Sequence, residues 1–289
     1  MPSTQFMVLQ ALNSLSLGAV LFLLSSGFSL IFGLIRTANL SHGAFFMLGA
    51  YLGVMVFSRV ASLWLAVLAA GVALGVLGAL VERFLIRRLA GNALNQVLAT
   101  LGLSFIIADA CLLLWGGDPI PLATPELLRK PLVVFGMAFP AYRLFLLGVA
   151  AAIALALHLM IDRTRLGAMI RAGVDDMPMA RAVGVPVSRL LTLVFSLGAA
   201  LAGIGGVLGA PILSAYPGMD ADMLPLALIV VILGGVGSLL GAFVGSFVIG
   251  AIYTFGTALL PDLAYVILFL PMIFVIAFRP RGLFGRIAA

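Results

Sequence analysis

Charge is what this sequence has least of. Only 9% of its 289 residues are Asp, Glu, Lys or Arg, against about 25% in an ordinary soluble domain, while 64% are apolar. A soluble core could not hide that excess. There is one lysine, Lys130, and no run fits the phosphate-cradling pattern G-x-x-x-x-G-K-[ST], so ATP binding of that kind is excluded. His42 and His158 are the only histidines, and both lie in or beside apolar stretches. No set of nucleophile, base and orienting acid can be assembled from them, and an enzyme reading is rejected. The single cysteine, Cys111, excludes an internal disulfide framework and a cysteine metal site. The first basic residue is Arg36, so the charged start of a secretory signal is missing and the first apolar block reads as a retained helix. The net charge of +6 sits in short loops without aromatic interleaving, which argues against nucleic acid.

What is present is apolar length. Residues 1–35, 37–58, 60–81, 144–161, 190–219, 223–261 and 263–278 contain no charged side chain. Blocks of about 18 or more such residues read as transmembrane helices. The 39 residues 223–261 would measure about 58 Å as one helix, against a hydrocarbon core of roughly 30 Å. They must turn back once, and the glycines at 234–238 permit the reversal. The sequence therefore predicts an all-α polytopic transmembrane helical bundle, one domain over 1–289. Its eight or nine spans fall near 11–33, 40–57, 62–81, 95–115, 143–161, 190–209, 223–234, 238–257 and 262–278, with 223–234 short enough to be a half-helix. Placing the arginine-rich loops inside puts the N-terminus outside, the C-terminus in the cytoplasm and 116–142 in an irregular external loop.

Four places interrupt the apolar pattern. Asn39, Ser41, His42 and Gly43 open a greasy helix. They read either as a cap with a close-packing glycine or as a helix N-terminus that faces a transport path and passes an anionic group. Asp109 lies within a span, where an ionisable group is a functional candidate by default, or else faces a polar partner inside the bundle. Gly234, Gly235, Gly237 and Gly241 mark a helix break and a small-residue packing stripe, and Gly-Ala-Phe at 43–45 recurs at 241–243. The segment 162–189 is too long for a turn; a surface helix over 168–183, interrupted at Gly173 and Pro178, fits it.

Three stretches of the sequence resemble the permease subunits of branched-chain amino-acid ABC importers: Asn39 through Tyr51 with its His-Gly and Gly-x-Tyr elements, Arg171 through Asp176 followed by Ala180 and Gly184, and Leu233 through Ala242 with a closing Arg-Pro-Arg-Gly-Leu-Phe-Gly at 279–285. The resemblance implies a multi-pass protein of the bacterial cytoplasmic (inner) membrane. Its implied partners are a second permease, related or identical, two cytoplasmic ATPase subunits that carry the ATP-Mg, and a periplasmic substrate-binding protein. It also implies that Arg171, Ala172, Asp175, Asp176, Ala180 and Gly184 belong to the loop that contacts the ATPase. From their residue types and positions, Asn39, Ser41, His42, Gly43 and Asp109 are read as bordering the substrate pathway. The implied cargo is a branched-chain or other hydrophobic amino acid, with urea, amides or small aromatic acids as alternatives in the same family. A stand-alone secondary transporter using Asp109 and a purely structural membrane subunit are the competing classes.

Overall fold

A computed structural model of the chain describes residues 4–134, 137–279 and 282–285. Helices occur near the expected positions, in order as α1 (Thr4–Ile35), α2 (His42–Val60), α3 (Leu63–Val81), α4 (Ala93–Trp115), α5 (Ala141–Arg163), α8 (Val187–Leu213), α9 (Met219–Gly234), α10 (Leu239–Leu259) and α11 (Ala264–Phe278). Two short helices, α6 (Arg165–Asp175) and α7 (Met177–Ala182), fall between α5 and α8. Among the described residues, seven helices are long and apolar enough to cross a membrane. Helix α9 is not: its 16 residues rise about 24 Å, short of a hydrocarbon core of roughly 30 Å.

The bundle forms around α1, whose residues from Gly18 to Leu34 are almost wholly buried. Helix α8 closes on α1 and α2, and α10 closes on α1 and α9, through glycines. A Cβ added at Gly33 would stand 2.6 Å from Cα of Gly237, and one at Gly49 would stand 2.5 Å from Cα of Gly203. Gly27 against Gly198 and Gly234 against Gly241 approach more closely still. Between helices in lipid, backbone approach of this kind supplies dispersion contact where no hydrophobic drive exists.

Three expectations are corrected in detail. The segment 116–142 is not wholly irregular: β1 (Pro131–Val134) and β2 (Met137–Pro140) pair antiparallel, with Leu132 opposite Phe139. Ile120 exchanges two backbone hydrogen bonds with Ala215, of 2.8 and 2.9 Å, which ties this segment to the α8–α9 connection. Helix α9 starts at Met219, ahead of the expected 223, because Asp220 and Asp222 suit the positive end of a helix dipole. Between α6 and α7 the break falls at Asp176, in extended backbone, and not at Gly173. Gly173 stays helical and buried against Leu34, and Pro178 sits in the first turn of α7, where its missing N–H costs nothing.

Candidate functional site

The N-termini of α2 and α9 meet inside the bundle. Asn39 Oδ1 accepts from the Ser41 amide at 3.2 Å and from the Ser41 hydroxyl at 2.7 Å, so Asn39 holds the turn into α2. Ser41 occupies the N-cap position with helical rather than extended backbone (φ −77°, ψ 0°), and its side chain makes no cap hydrogen bond; its hydroxyl donates to Asn39 instead. His42 Nε2 lies 3.0 Å from the Leu24 carbonyl, an arrangement in which Nε2 carries the proton and donates. Its ring stands 5.3 Å from that of Phe28 and 6.5 Å from that of Phe45. Asn39, Ser41 and His42 are all buried.

Gly43 is where the two helices touch. A Cβ there would stand 2.6 Å from the Asp220 carbonyl and 3.0 Å from Leu224, so only glycine admits the N-terminus of α9. Helix α4 completes the junction: Thr100 Oγ1 accepts from the Leu40 amide at 3.1 Å, and Ser104 donates to Asp220 Oδ2 at 3.2 Å. Ser104 is the middle residue of α4, so α9 begins deep in the bundle as a half-helix. Broken helices of this kind are tolerated where protein packs around them, and in transporters they border substrate sites. The Tyr216 hydroxyl donates to Asp222 Oδ2 at 2.7 Å beside the junction. The sequence reading passed over Ser104, Tyr216, Asp220 and Asp222. The available signal was two acids just before an apolar run, the usual charge bias of a helix start.

Asp109 is not part of this junction. It lies five residues beyond Ser104, about 140° around α4, and is exposed on the outside of the bundle.

At the arginine-rich end, α6 and α7 form a compact projection. Arg36, at φ 58° past the end of α1, donates to the Val174 carbonyl at 2.8 Å and so caps the last turn of α6 with a cation. Asp176 Oδ1 accepts from the Met179 amide at 3.0 Å and is the N-cap of α7. Ala180 is buried, Arg171 and Ala172 are half-buried, and Asp175, Asp176, Arg181 and Gly184 are exposed. Gly184, at φ +91°, ends the α7 turn in the left-handed region. Met179 and Val183 are 59% and 71% exposed, so the outer face of α7 offers apolar side chains between charges of both signs. Arg171 and His158 both reach Asp162, at 3.6 and 2.9 Å.

Beside this projection lies a buried charge network. After α3 the chain passes through a π turn, Glu82–Ile86, and a 3-10 turn, Arg87–Leu89. The Glu82 side chain is 2% exposed and receives Arg87 at 2.6 and 3.1 Å and the Thr192 hydroxyl at 2.7 Å. Arg87 also donates to the Ser188 carbonyl at 2.8 Å. The end of α3 is thereby fastened to the start of α8, a few residues beyond α7.

A bundle of membrane-length helices with a broken helix, α9, at its centre and a helical projection at one end has the parts of a transport subunit. Residues 10–276 match the family described as the branched-chain amino acid transport system / permease component. The chain belongs to that family. It is 30% identical to the high-affinity branched-chain amino acid transport system permease protein BraD of Pseudomonas aeruginosa, over 99% of this chain and 98% of that protein. It is 28% identical to the corresponding permease protein LivH of Escherichia coli K12, over 96% of this chain and 95% of that protein. The autoinducer 2 import system permease protein LsrC of Klebsiella pneumoniae is 30% identical over 62% of this chain and 52% of that protein. No solved structure matches.

In this member of the family the glycine break at 234–241 serves two ends. Gly235 and Gly237 take φ of +101° and +77° in the reversal, and Ser238 Oγ accepts from the Gly241 amide at 3.0 Å to start α10. The last described segment, 282–285, returns to the same place: Leu283 and Phe284 donate to the carbonyls of Leu233 and Gly234 at 2.8 and 3.0 Å, satisfying the end of α9. Pro280, Arg281 and Arg286 lie outside the described residues. A cleft of about 320 Å³ separates this reversal from α6 and is lined by Leu30, His158, Asp162, Arg171, Ser238 and Phe284. The projection thus has free space on its inner side.

Proposed function

We propose that this chain is the permease subunit of an ATP-binding-cassette importer that moves branched-chain or other hydrophobic amino acids inward across the bacterial inner membrane. The family match over nearly the whole chain is the observation that supports this most strongly. In this reading the chain forms one half of the pathway with a second permease. Two cytoplasmic ATPases supply the nucleotide chemistry that its sequence lacks, and a periplasmic binding protein delivers the cargo. The arginine-rich end is cytoplasmic, as the positive-inside rule requires.

The α6–α7 projection is the handle on which the ATPases act. Asp175, Asp176 and Arg181 are exposed for charged partners, and Met179 and Val183 supply adaptable apolar contact. Ala180 and Gly173 face inward, so a push on α7 reaches α1 and α8 through packed atoms. The α2–α9 junction is packed behind α4, where Asn39, Ser41, His42 and Gly43 set the position of two helix N-termini that support the pathway wall.

The handle is tested by reversing its charge without unfolding it. Because Asp176 caps α7, the informative variant is Asp175→Arg with Asp176→Asn, since asparagine keeps the cap. The expected result is normal membrane abundance with uptake reduced tenfold or more while ATP hydrolysis persists. Normal copurification of the ATPases together with normal uptake would count against docking at this site.

A further inference from the structure

Helix α4 has two unlike sides. Its inner side carries Gln96, Thr100, Ser104, Ile107 and Cys111, all buried against the bundle. Its outer side is open: Phe105, Ile106 and Leu113 are 61%, 67% and 86% exposed, and a Cβ added at Gly102 would meet nothing within 4 Å. Asp109 stands in the middle of that open side.

The other open helix faces show what lipid requires. On α3 the exposed residues Trp64, Leu68, Val72 and Val76 are uniformly apolar, as are Phe269, Ile273 and Phe274 on α11. Those faces suit acyl chains. The α4 face does not, because Asp109 forms no ion pair or hydrogen bond among the described residues and lies about 9 Å along the helix from its Trp115 end. A short carboxylate side chain at that depth cannot reach the interface as Lys or Arg can. Water or another protein must therefore meet it.

We propose that the open face of α4 looks onto the second permease across a water-filled seam, and that Asp109 lines this seam and accepts the ammonium group of the passing amino acid. The inference rests on the importer reading above and names the wall of its pathway. An all-lipid surface is excluded by the carboxylate, and a dry contact between two such faces would bring like charges together if the partner is a second copy. A seam wide enough for water and substrate removes both conflicts. The exposed Gly102 lets the partner approach one end of the face while Phe105 and Leu113 flank the acid.

The test uses single cysteines in a Cys111→Ala background, within the complete complex in native membranes. Asp109→Cys and Leu113→Cys are expected to react with a membrane-impermeant thiosulfonate at least tenfold faster than Val72→Cys on α3, and a saturating amino-acid load should slow the reaction at 113, where Asp109 is retained. In uptake assays Asp109→Asn is expected to lose tenfold or more, and Asp109→Glu to keep most of the activity. Equal and slow labelling at 109 and 72, or full uptake by Asp109→Leu, would overturn the proposal. Labelling reads the face without any transport, so absence of ATP-driven uptake by the wild-type complex would instead strike the importer reading.

Discussion

Replacing Gly206 with valine should remove the folded permease from the membrane. A Cβ at this position in α8 would overlap the Phe46 carbonyl and stand 2.8 Å from the Ala50 amide, both backbone atoms of α2. No rotamer change relieves a clash with backbone, so α2 and α8 would have to separate along their crossing. Overpacking a core costs about 1–3 kcal/mol even where side chains can yield, and more where they cannot. Gly148→Ala in α5 is the control, because nothing lies within 4 Å of its added methyl. Fluorescence-detected size exclusion should show the main peak lost for Gly206→Val and unchanged for Gly148→Ala. A wild-type peak and melting temperature for Gly206→Val would contradict the α2–α8 approach.

The second large effect belongs to Glu82. Its removal takes the carboxylate from Arg87 and Thr192, which keep the Ser188 carbonyl as a partner, and loosens α3 from α8. Breaking a buried pair by deleting one partner costs roughly 3–5 kcal/mol. Since the Arg87 side chain is 35% exposed, water recovers part of that, and a loss of about 2–3 kcal/mol is expected for Glu82→Ala. Thermal unfolding of Glu82→Ala, Arg87→Ala and the double variant should give a non-additive cycle, the double variant being little worse than Glu82→Ala alone. Strictly additive losses would show that the network carries no coupling.

The helices were legible because lipid punishes every unpaired backbone group and every charge, so span lengths and loop charges are written almost directly into composition. Azimuth was not. Asp109 could be placed at its depth but not on a side, because α4 is apolar on both faces and the bundle uses only one. Glu82 and Arg87 were hidden for a different reason: residues five apart do not face each other on an α-helix, and only the π turn between them, with the Arg87 amide reaching the Glu82 carbonyl, brings the side chains together. Thr192, their third member, is 110 residues distant from Glu82. At the α2–α9 junction the glycine was visible and its neighbour was not, since nothing local to Gly43 signals that the Asp220 carbonyl will lie against it.

The central claim is that this chain transports only as part of an ATP-driven assembly, and reconstituted uptake tests it most directly. Proteoliposomes that hold this chain, a second permease and two ATPases should accumulate a branched-chain amino acid when ATP and the binding protein are both supplied, and the chain alone should accumulate none. Gradient-driven uptake by the chain alone, abolished by Asp109→Asn, would contradict the account.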